Sequence, residues 1–147
     1  MRVREKRLRR LLAFRRIGEE QKRRHLQSVL ASVAEVDSAL GAQRQTMEAA
    51  GETSATALRQ GDRDEWLFAE AQIEVAGWNR TRLAPLRQTR QTAVGPATAD
   101  FLERRCEHEQ VKQLIKDIQS QQQVADDRSA QIADDDWFLA KRARRRR

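Results

Sequence analysis

The chain has few of the residues that build ordinary globular cores or turn-rich folds. Among its 147 residues it has no tyrosine, 5% aromatic residues, two prolines and six glycines. No apolar run approaches the roughly 20 residues that a membrane-spanning helix needs. The single cysteine, Cys106, excludes an internal disulfide and does not indicate a compartment by itself. The only apolar run near the N-terminus, at 11–14, is short and is followed by two arginines, so we expect no signal peptide and an intracellular protein.

The residues that are abundant favour long helices. Alanine, glutamine, arginine, glutamate and leucine are common, and 35% of the residues are charged. High charge with modest apolar content is also typical of disordered chains. Here, however, the apolar residues recur periodically, which argues against disorder and predicts an all-α fold.

Both ends of the chain are basic, and its middle is acidic. Residues 1–24 hold eleven Lys or Arg against three Glu, a net charge of +8, and residues 141–147 hold six Lys or Arg and no acid. Because the whole chain carries +7, the other 116 residues carry a net charge of −7. If the chain folds back on itself, the ends meet in one cationic pole, which predicts an anionic partner. Solvated tails are the simpler explanation, but the N-terminal cations oppose their helix dipole, which favours a binding role.

A heptad repeat predicts a first helix over about residues 3–50. Its stripe has alternate spacings of three and four, as a coiled-coil seam requires. The positions of the stripe are Leu26, Val29, Val33, Val36, Leu40, Gln43, Met47 and Ala50. Upstream, Leu8, Leu11, Leu12 and Ile17 do not continue this phase, which predicts a stutter.

Glycine and proline divide the middle segment, residues 51–96. Gly51 predicts the end of the first helix and a loop. Asp62, which follows a glycine and precedes Glu65 by three residues, predicts an N-cap with a capping box. A short middle helix then extends to about residue 84, where Pro85 ends or kinks it. The pair Gly95-Pro96 predicts a second break.

A second heptad predicts a last helix over about residues 97–140, followed by a basic tail at 141–147. Its positions are Phe101, His108, Val111, Ile115, Ile118, Gln122, Ala125, Ser129, Ile132, Asp136 and Leu139. Polar residues among them predict a weak seam towards the end. Two amphipathic helices of similar length can bury their stripes against each other. We therefore predict a single domain, a long antiparallel two-helix coiled-coil hairpin with a short middle helix near its tip; a parallel homodimer is the alternative.

Residues that could bind a metal or catalyse a reaction are few. Cys106 and His108 are two positions apart on a helix, so they do not share a face, and with His25 they make at most a poor metal set. The chain has no nucleotide-binding glycine loop, and its composition does not favour a compact catalytic site. We expect no enzyme activity, no cofactor and no metal, with His108 as a polar seam position and Cys106 at the surface.

Aromatic residues are concentrated in the middle segment, at Trp66, Phe68 and Trp78. Trp66 and Phe68 lie on different faces of a helix, so the set cannot all enter one seam. Some members are expected to pack the middle helix against the hairpin. The functional alternative is an exposed patch that contacts a protein partner.

Both ends carry a family resemblance. The opening RLRRLLAFRRIGEEQKRR is a basic helix with a Leu-Leu pair followed by Glu and Gln. The closing DDRSAQIADDDWFLAKRARRRR places an acidic run before an apolar pair and a terminal basic cluster. In these segments, in length and in two-arm pattern, the chain resembles the flagellar FliJ proteins and the YscO-type stalk proteins of type III secretion. Pro85, Gly95-Pro96 and the four-Arg terminus depart from the family pattern.

The resemblance implies a non-enzymatic stalk of the bacterial flagellar (type III) export apparatus, in the cytoplasm at the inner membrane. Family members bind the hexameric export ATPase through their paired termini and the cytoplasmic domain of the export gate through their other part. Some also bind export chaperones. The residues so implied are a gate-facing patch of Trp66, Phe68, Ile73 and Trp78, and an ATPase-facing basic pole of Arg2, Arg4, Lys6, Arg7, Arg9, Arg10, Lys141, Arg142, Arg144, Arg145, Arg146 and Arg147.

Two other functions fit parts of the sequence. A basic coiled coil with a pI near 10.6 is also typical of nucleic-acid binding, although the acidic middle would repel phosphate. Residues 1–18 form a basic amphipathic helix that would associate weakly with anionic lipid.

Overall fold

A computed structural model of the chain describes residues 2–145, with side chains described for residues 4–145. Over this range the protein is all-α, without strands. Its helices are α1 (Arg2–Gln60), α2 (Arg63–Thr92) and α3 (Val94–Arg145). Contacts divide the chain into two compact units. Unit 1 comprises residues 1–19 and 104–147, and unit 2 comprises residues 20–103.

A two-residue turn connects α1 to α2. Gly61 has a φ of 74°, the left-handed conformation that glycine adopts without steric cost. The Gly61 amide donates to the Leu58 carbonyl and the Asp62 amide donates to the Ala57 carbonyl, which is the Schellman pattern of a helix end. The Asp62 carboxylate then accepts from the Glu65 amide and caps α2. The predicted Asp62 cap is confirmed.

Helix α1 does not end at Gly51, so the expected loop there is wrong. Gly51 is helical and half-buried, and α1 continues to Gln60. Glycine inside a helix costs only about 1 kcal/mol relative to alanine. The burial of Ala50, Ser54 and Ala57 on the same face offsets that cost.

Helix α2 passes through Pro85 and ends at Thr92, eight residues beyond the predicted end. Pro85 is exposed, and the amide that it lacks removes one hydrogen bond, to the Thr81 carbonyl. The break falls at Ala93, which still has helical φ and ψ of −73° and −17°. Gly95 and Pro96 lie in the first turn of α3, where backbone amides have no helical partner.

In unit 2, α1 runs antiparallel to α2 and to the start of α3. Residues of rising number on α1 contact residues of falling number opposite. Contacts between side chains join Lys22 to Asp100, Arg23 to the ring of Phe101, Asp37 to Arg87, Gln43 to Asn79 and Ser54 to Glu70. The hydrogen bond from Arg87 to Asp37, with the charge of that carboxylate, raises the pKa of Arg87 above its ordinary value.

Small side chains fill the seam of unit 2. Its best buried positions are Val33, Val36, Ala50, Ala57, Ala69, Ala76 and Ala97. Alanine lets two helix backbones approach closely, but each one buries little apolar area. All the predicted stripe positions of α1 are buried or half-buried, which confirms that stripe. On the opposite side of the seam, buried and half-buried residues follow Trp66 with a spacing of three and four. This spacing continues in the same phase past Ala93, because Ala93 keeps helical backbone angles.

In unit 1, polar residues occupy several seam positions. Leu8 and Leu12 are half-buried and continue the phase of the α1 stripe, so the predicted stutter is wrong. The phase was hidden because Arg15 and Glu19 occupy the next seam positions, whereas Leu11 and Ile17 lie outside it and are exposed. Across from them, α3 contributes His108 and the apolar positions Val111, Ile115 and Ile118.

The seam of α3 ends at Gln122. Gln122 is half-buried, and every residue of 123–145 is exposed. The predicted heptad therefore persists in the sequence to Leu139 without burial of its later members. The weakening of the seam towards its end is confirmed.

Candidate functional site

A cluster of ionic side chains lies in unit 1, where α1 contacts the start of its α3 portion. Arg15 Nη1 lies 2.5 Å from Glu107 Oε2, and Arg104 Nη1 lies 3.1 Å from the same oxygen. Glu19 Oε2 lies 2.5 Å from His108 Nδ1, and both side chains are largely buried. This arrangement neutralises charge inside the seam. His108 therefore has the polar seam position that the spacing predicted, and Cys106 is exposed as expected.

The N-terminal basic residues lie on the exposed surface of α1. The side chains of Arg4, Lys6, Arg7, Arg9 and Arg10 are all exposed. Arg9 pairs with Glu5 one turn earlier, at 2.5 Å. The side chain of Arg2 lies outside the described residues.

The C-terminal basic residues lie on the last turns of α3. Lys141, Arg142, Arg144 and Arg145 are exposed, and Arg146 and Arg147 lie outside the described residues. The ammonium of Lys141 lies 4.5 Å from the centre of the Trp137 ring. The rings of Trp137 and Phe138 meet edge to face at 5.1 Å. The position of these basic residues at the end of α3 is electrostatically favourable, because cations there face the negative end of the helix dipole.

The two basic segments are separated within unit 1. Arg15 faces Glu107 and Gly18 lies beside Arg104, so α1 runs antiparallel to α3 here, and Arg4 in the same register reaches about residue 120 of α3. Lys141 lies about 20 residues further along, or roughly 30 Å at 1.5 Å per residue. This placement differs from the expected meeting of the ends. The sequence could not reveal the offset, because charge counts do not fix helix register.

The predicted gate-facing residues separate into two pairs in unit 2. Trp66 and Ile73 are half-buried at seam positions, and Trp66 borders a shallow depression with Ala57, Leu58 and Asp62. Phe68 and Trp78 point outwards, with 65% and 62% of their surfaces exposed. The prediction that Trp66 and Phe68 lie on different faces is confirmed.

Val75 completes an exposed stripe that the sequence reasoning missed. It follows Phe68 by seven residues and precedes Trp78 by three, so all three share one face of α2. Val75 is 51% exposed. We call Phe68, Val75 and Trp78 the outer patch. The helical spacing of Val75 from Phe68 and Trp78 was the signal in the sequence that places it on their face.

No significant match to this chain is found among protein-family models, curated proteins or solved structures. Within residues 2–145, no three His, Cys, Asp or Glu side chains are placed to hold a metal ion. None of the helices in that range has a stretch apolar and long enough to cross a membrane.

Proposed function

We propose that this protein is a non-enzymatic coupling stalk of a bacterial flagellar (type III) export apparatus. The observation that carries the proposal is the heptad-spaced antiparallel packing, combined with exposed basic side chains on the first turns of α1 and the last turns of α3. Packed helices of this kind suit a mechanical or scaffolding role. The resemblance of both ends to FliJ-type proteins selects the export apparatus among such roles.

The proposed architecture is an antiparallel coiled-coil hairpin. Its turn is Gly61–Asp62, its first arm is α1, and α2 and α3 together form its second arm. The unbroken 3–4 spacing across Ala93 supports the joining of α2 and α3 into one arm. The middle segment then belongs to the second arm.

The proposed ATPase contact uses the basic side chains. An anionic surface on the export ATPase would attract both basic segments, and association would weaken with salt. Since the segments are offset along α3, they would contact different depths of the ATPase ring. The predicted pole of Arg2–Arg10 and Lys141–Arg147 thus becomes two successive contacts.

The proposed gate contact uses the outer patch. Phe68, Val75 and Trp78 present apolar area to solvent, and aromatics often anchor protein interfaces. Trp66 and Ile73 would support this contact from the seam rather than touch the gate. Export chaperones are further proposed partners.

A pull-down of the tagged chain from its native host, with and without nuclease, tests the proposal. We expect the export ATPase and gate to be recovered in both samples. Substitution of the six Lys and Arg at 141–147 by Gln should lose the ATPase, and Trp78→Ser should lose the gate but keep the ATPase. The matched control neutralises six exposed arginines elsewhere, Arg44, Arg59, Arg63, Arg80, Arg82 and Arg105.

Two results would contradict the proposal that this protein is a coupling stalk. ATPase recovery that is unchanged in the 141–147 variant, and in a variant that also lacks the N-terminal cations, would exclude the basic contacts. Recovery of ribosomal or nucleoid proteins that disappear with nuclease would instead identify a nucleic-acid-binding coiled coil.

A further inference from the structure

The end of α3 carries a stripe on which none of the described side chains packs. We call residues 123–145 the tail segment; all of its side chains are exposed. Its large apolar residues are strongly exposed, from 48% at Val124 to 64% at Leu139. Heptad spacing continues through Ala125, Ser129, Ile132, Asp136 and Leu139, so part of this apolar surface lies in line with the seam.

The order of charges within the tail segment is self-complementary. Three acids at 134–136 are followed by the apolar run WFLA at 137–140 and by four cations between 141 and 145. Read in opposite directions, two such segments place acids against cations on both sides of the apolar run. The net charge of residues 134–145 is only +1, so repulsion between copies is small.

We propose that the tail segment binds the tail segment of a second copy of this chain in antiparallel orientation. The inference does not rest on the export function. It rests on the exposed heptad stripe and on the charge order. Ile132 supplies the apolar contact, against Ala143 of the second copy. Leu139 lies opposite Asp136 in the same alignment, and flanking charges set the register.

Charge decides between the registers that the heptad allows. In one antiparallel register, Ile132 lies opposite Ala143, and Asp135 lies beside Arg142 of the second copy. Ala133 then faces Ala140, which permits close approach. Shifting by one heptad places Asp135 beside Asp135 and Arg128 beside Arg142, and such like-charge contacts are unfavourable. A parallel pair would place Asp136 against Asp136 in the seam.

The favoured register also avoids a clash with the folded part of unit 1. Arg145 of the second copy reaches Ala130, which is well short of Gln122, where the occupied seam ends. The paired region is about 16 residues per copy, or roughly 24 Å. An interface this short is expected to be weak, concentration-dependent and sensitive to salt.

Sedimentation equilibrium of the purified, nuclease-treated full chain tests the proposal without any partner. We expect the average mass to rise reversibly from 17.0 kDa towards twice that value with concentration, and less so at high salt. Asp135→Arg and Arg142→Asp should each weaken the dimer at least tenfold. The double variant should restore it, because both pairs become attractive again with reversed signs.

Asp127→Arg is the matched control, since Asp127 is exposed but lies outside the paired region. It should leave the dimer unchanged. All of these side chains are exposed, and circular dichroism of each variant verifies that helicity is kept. A wild-type chain that stays monomeric at every concentration in low salt would overturn the proposal. So would a double variant as weak as the single ones. The export function would be unaffected by either result.

Discussion

The two units use one spacing pattern with different residues. In unit 2 the most deeply buried apolar seam residues are alanine and valine, and Ala57 and Ala69 have no exposed surface. In unit 1 the seam begins with Leu8 and Leu12, passes through the Arg15, Glu19 and His108 cluster, and is unoccupied beyond Gln122. A heptad repeat alone therefore does not tell how well a seam is packed.

The difference between the two seams shows that holding two helices together and fixing their alignment depend on different residues. Close-packed alanines hold helices together but would tolerate a shift of one heptad, because each layer resembles the next. The buried Glu19–His108 hydrogen bond tolerates no such shift, since a shift would leave polar groups buried without these partners. Unit 1 has polar side chains at seam positions where apolar ones could be buried. The contacts of these polar side chains favour one alignment of α1 on α3.

The largest expected effect compares two isoleucines of α3 in the same repeat. Ile115 is 8% exposed and Ile132 is 62% exposed. Ile115→Ala should lower the free energy of unfolding by roughly 2–5 kcal/mol, because buried aliphatic contacts are lost. Ile132→Ala should change it by less than about 0.5 kcal/mol.

Urea unfolding followed by circular dichroism measures both values. The protein concentration is kept low, so that any dimerisation through Ile132 does not contribute. Equal destabilisation by the two variants would show that the tail segment is packed within the monomer, and the contrast between occupied and unoccupied seam would fail.

A smaller effect tests close packing in unit 2. Ala57→Leu should lower the free energy of unfolding by about 1–3 kcal/mol, since a larger side chain must push α1 and α2 apart. The matched control is Ala55→Leu, two residues earlier on α1 and exposed. Thermal melts of both variants provide the comparison. A stabilising Ala57→Leu would mean that the seam has room to fill and is not closely packed.

The smallest net effect is expected when both members of the Glu19–His108 hydrogen bond in unit 1 are replaced together. His108→Leu should destabilise the fold by roughly 1–3 kcal/mol, because Glu19 loses a hydrogen-bond partner inside the seam. Glu19→Leu with His108→Leu should recover most of that loss, since replacing both members of a buried hydrogen bond by apolar side chains is nearly neutral. A double-mutant cycle from urea unfolding gives the coupling energy. If the losses of stability from Glu19→Leu alone and His108→Leu alone simply add up in the double variant, the pair does not act as a unit.

Much of the local structure could be predicted from the sequence. The stripe from Leu26 to Ala50 could be predicted because its residues, all apolar except Gln43, are regularly spaced along the helix. The Asp62 cap is confirmed because a left-handed glycine followed by an acid has few alternative structures. Both features depend on neighbouring residues only.

The errors arose where packing outweighed local preference. Gly51 and Pro85 disfavour helix by themselves, but the buried Ala50 and Ser54 beside Gly51, and the half-buried Leu83 and Arg87 on either side of Pro85, keep α1 and α2 continuous. The seam positions of Arg15 and Glu19 were overlooked because charged residues are rarely buried without a partner, and their partners are about 90 residues away in the sequence. The offset of the basic segments depends on the same long-range register.

The two-residue turn at Gly61–Asp62 has a kinetic consequence for unit 2. Contacts across its seam join residues 16 apart at Ser54–Glu70, 50 apart at Asp37–Arg87 and 78 apart at Lys22–Asp100. Formed separately, the longest of these would close a large loop at a high entropic cost. Formed in order from the turn, each pair closes only the few residues beyond the previous one. Because Gly61 ends α1 in a tight turn, contacts between residues far apart in the sequence can form by closing short loops one after another, as in a fold with local contacts.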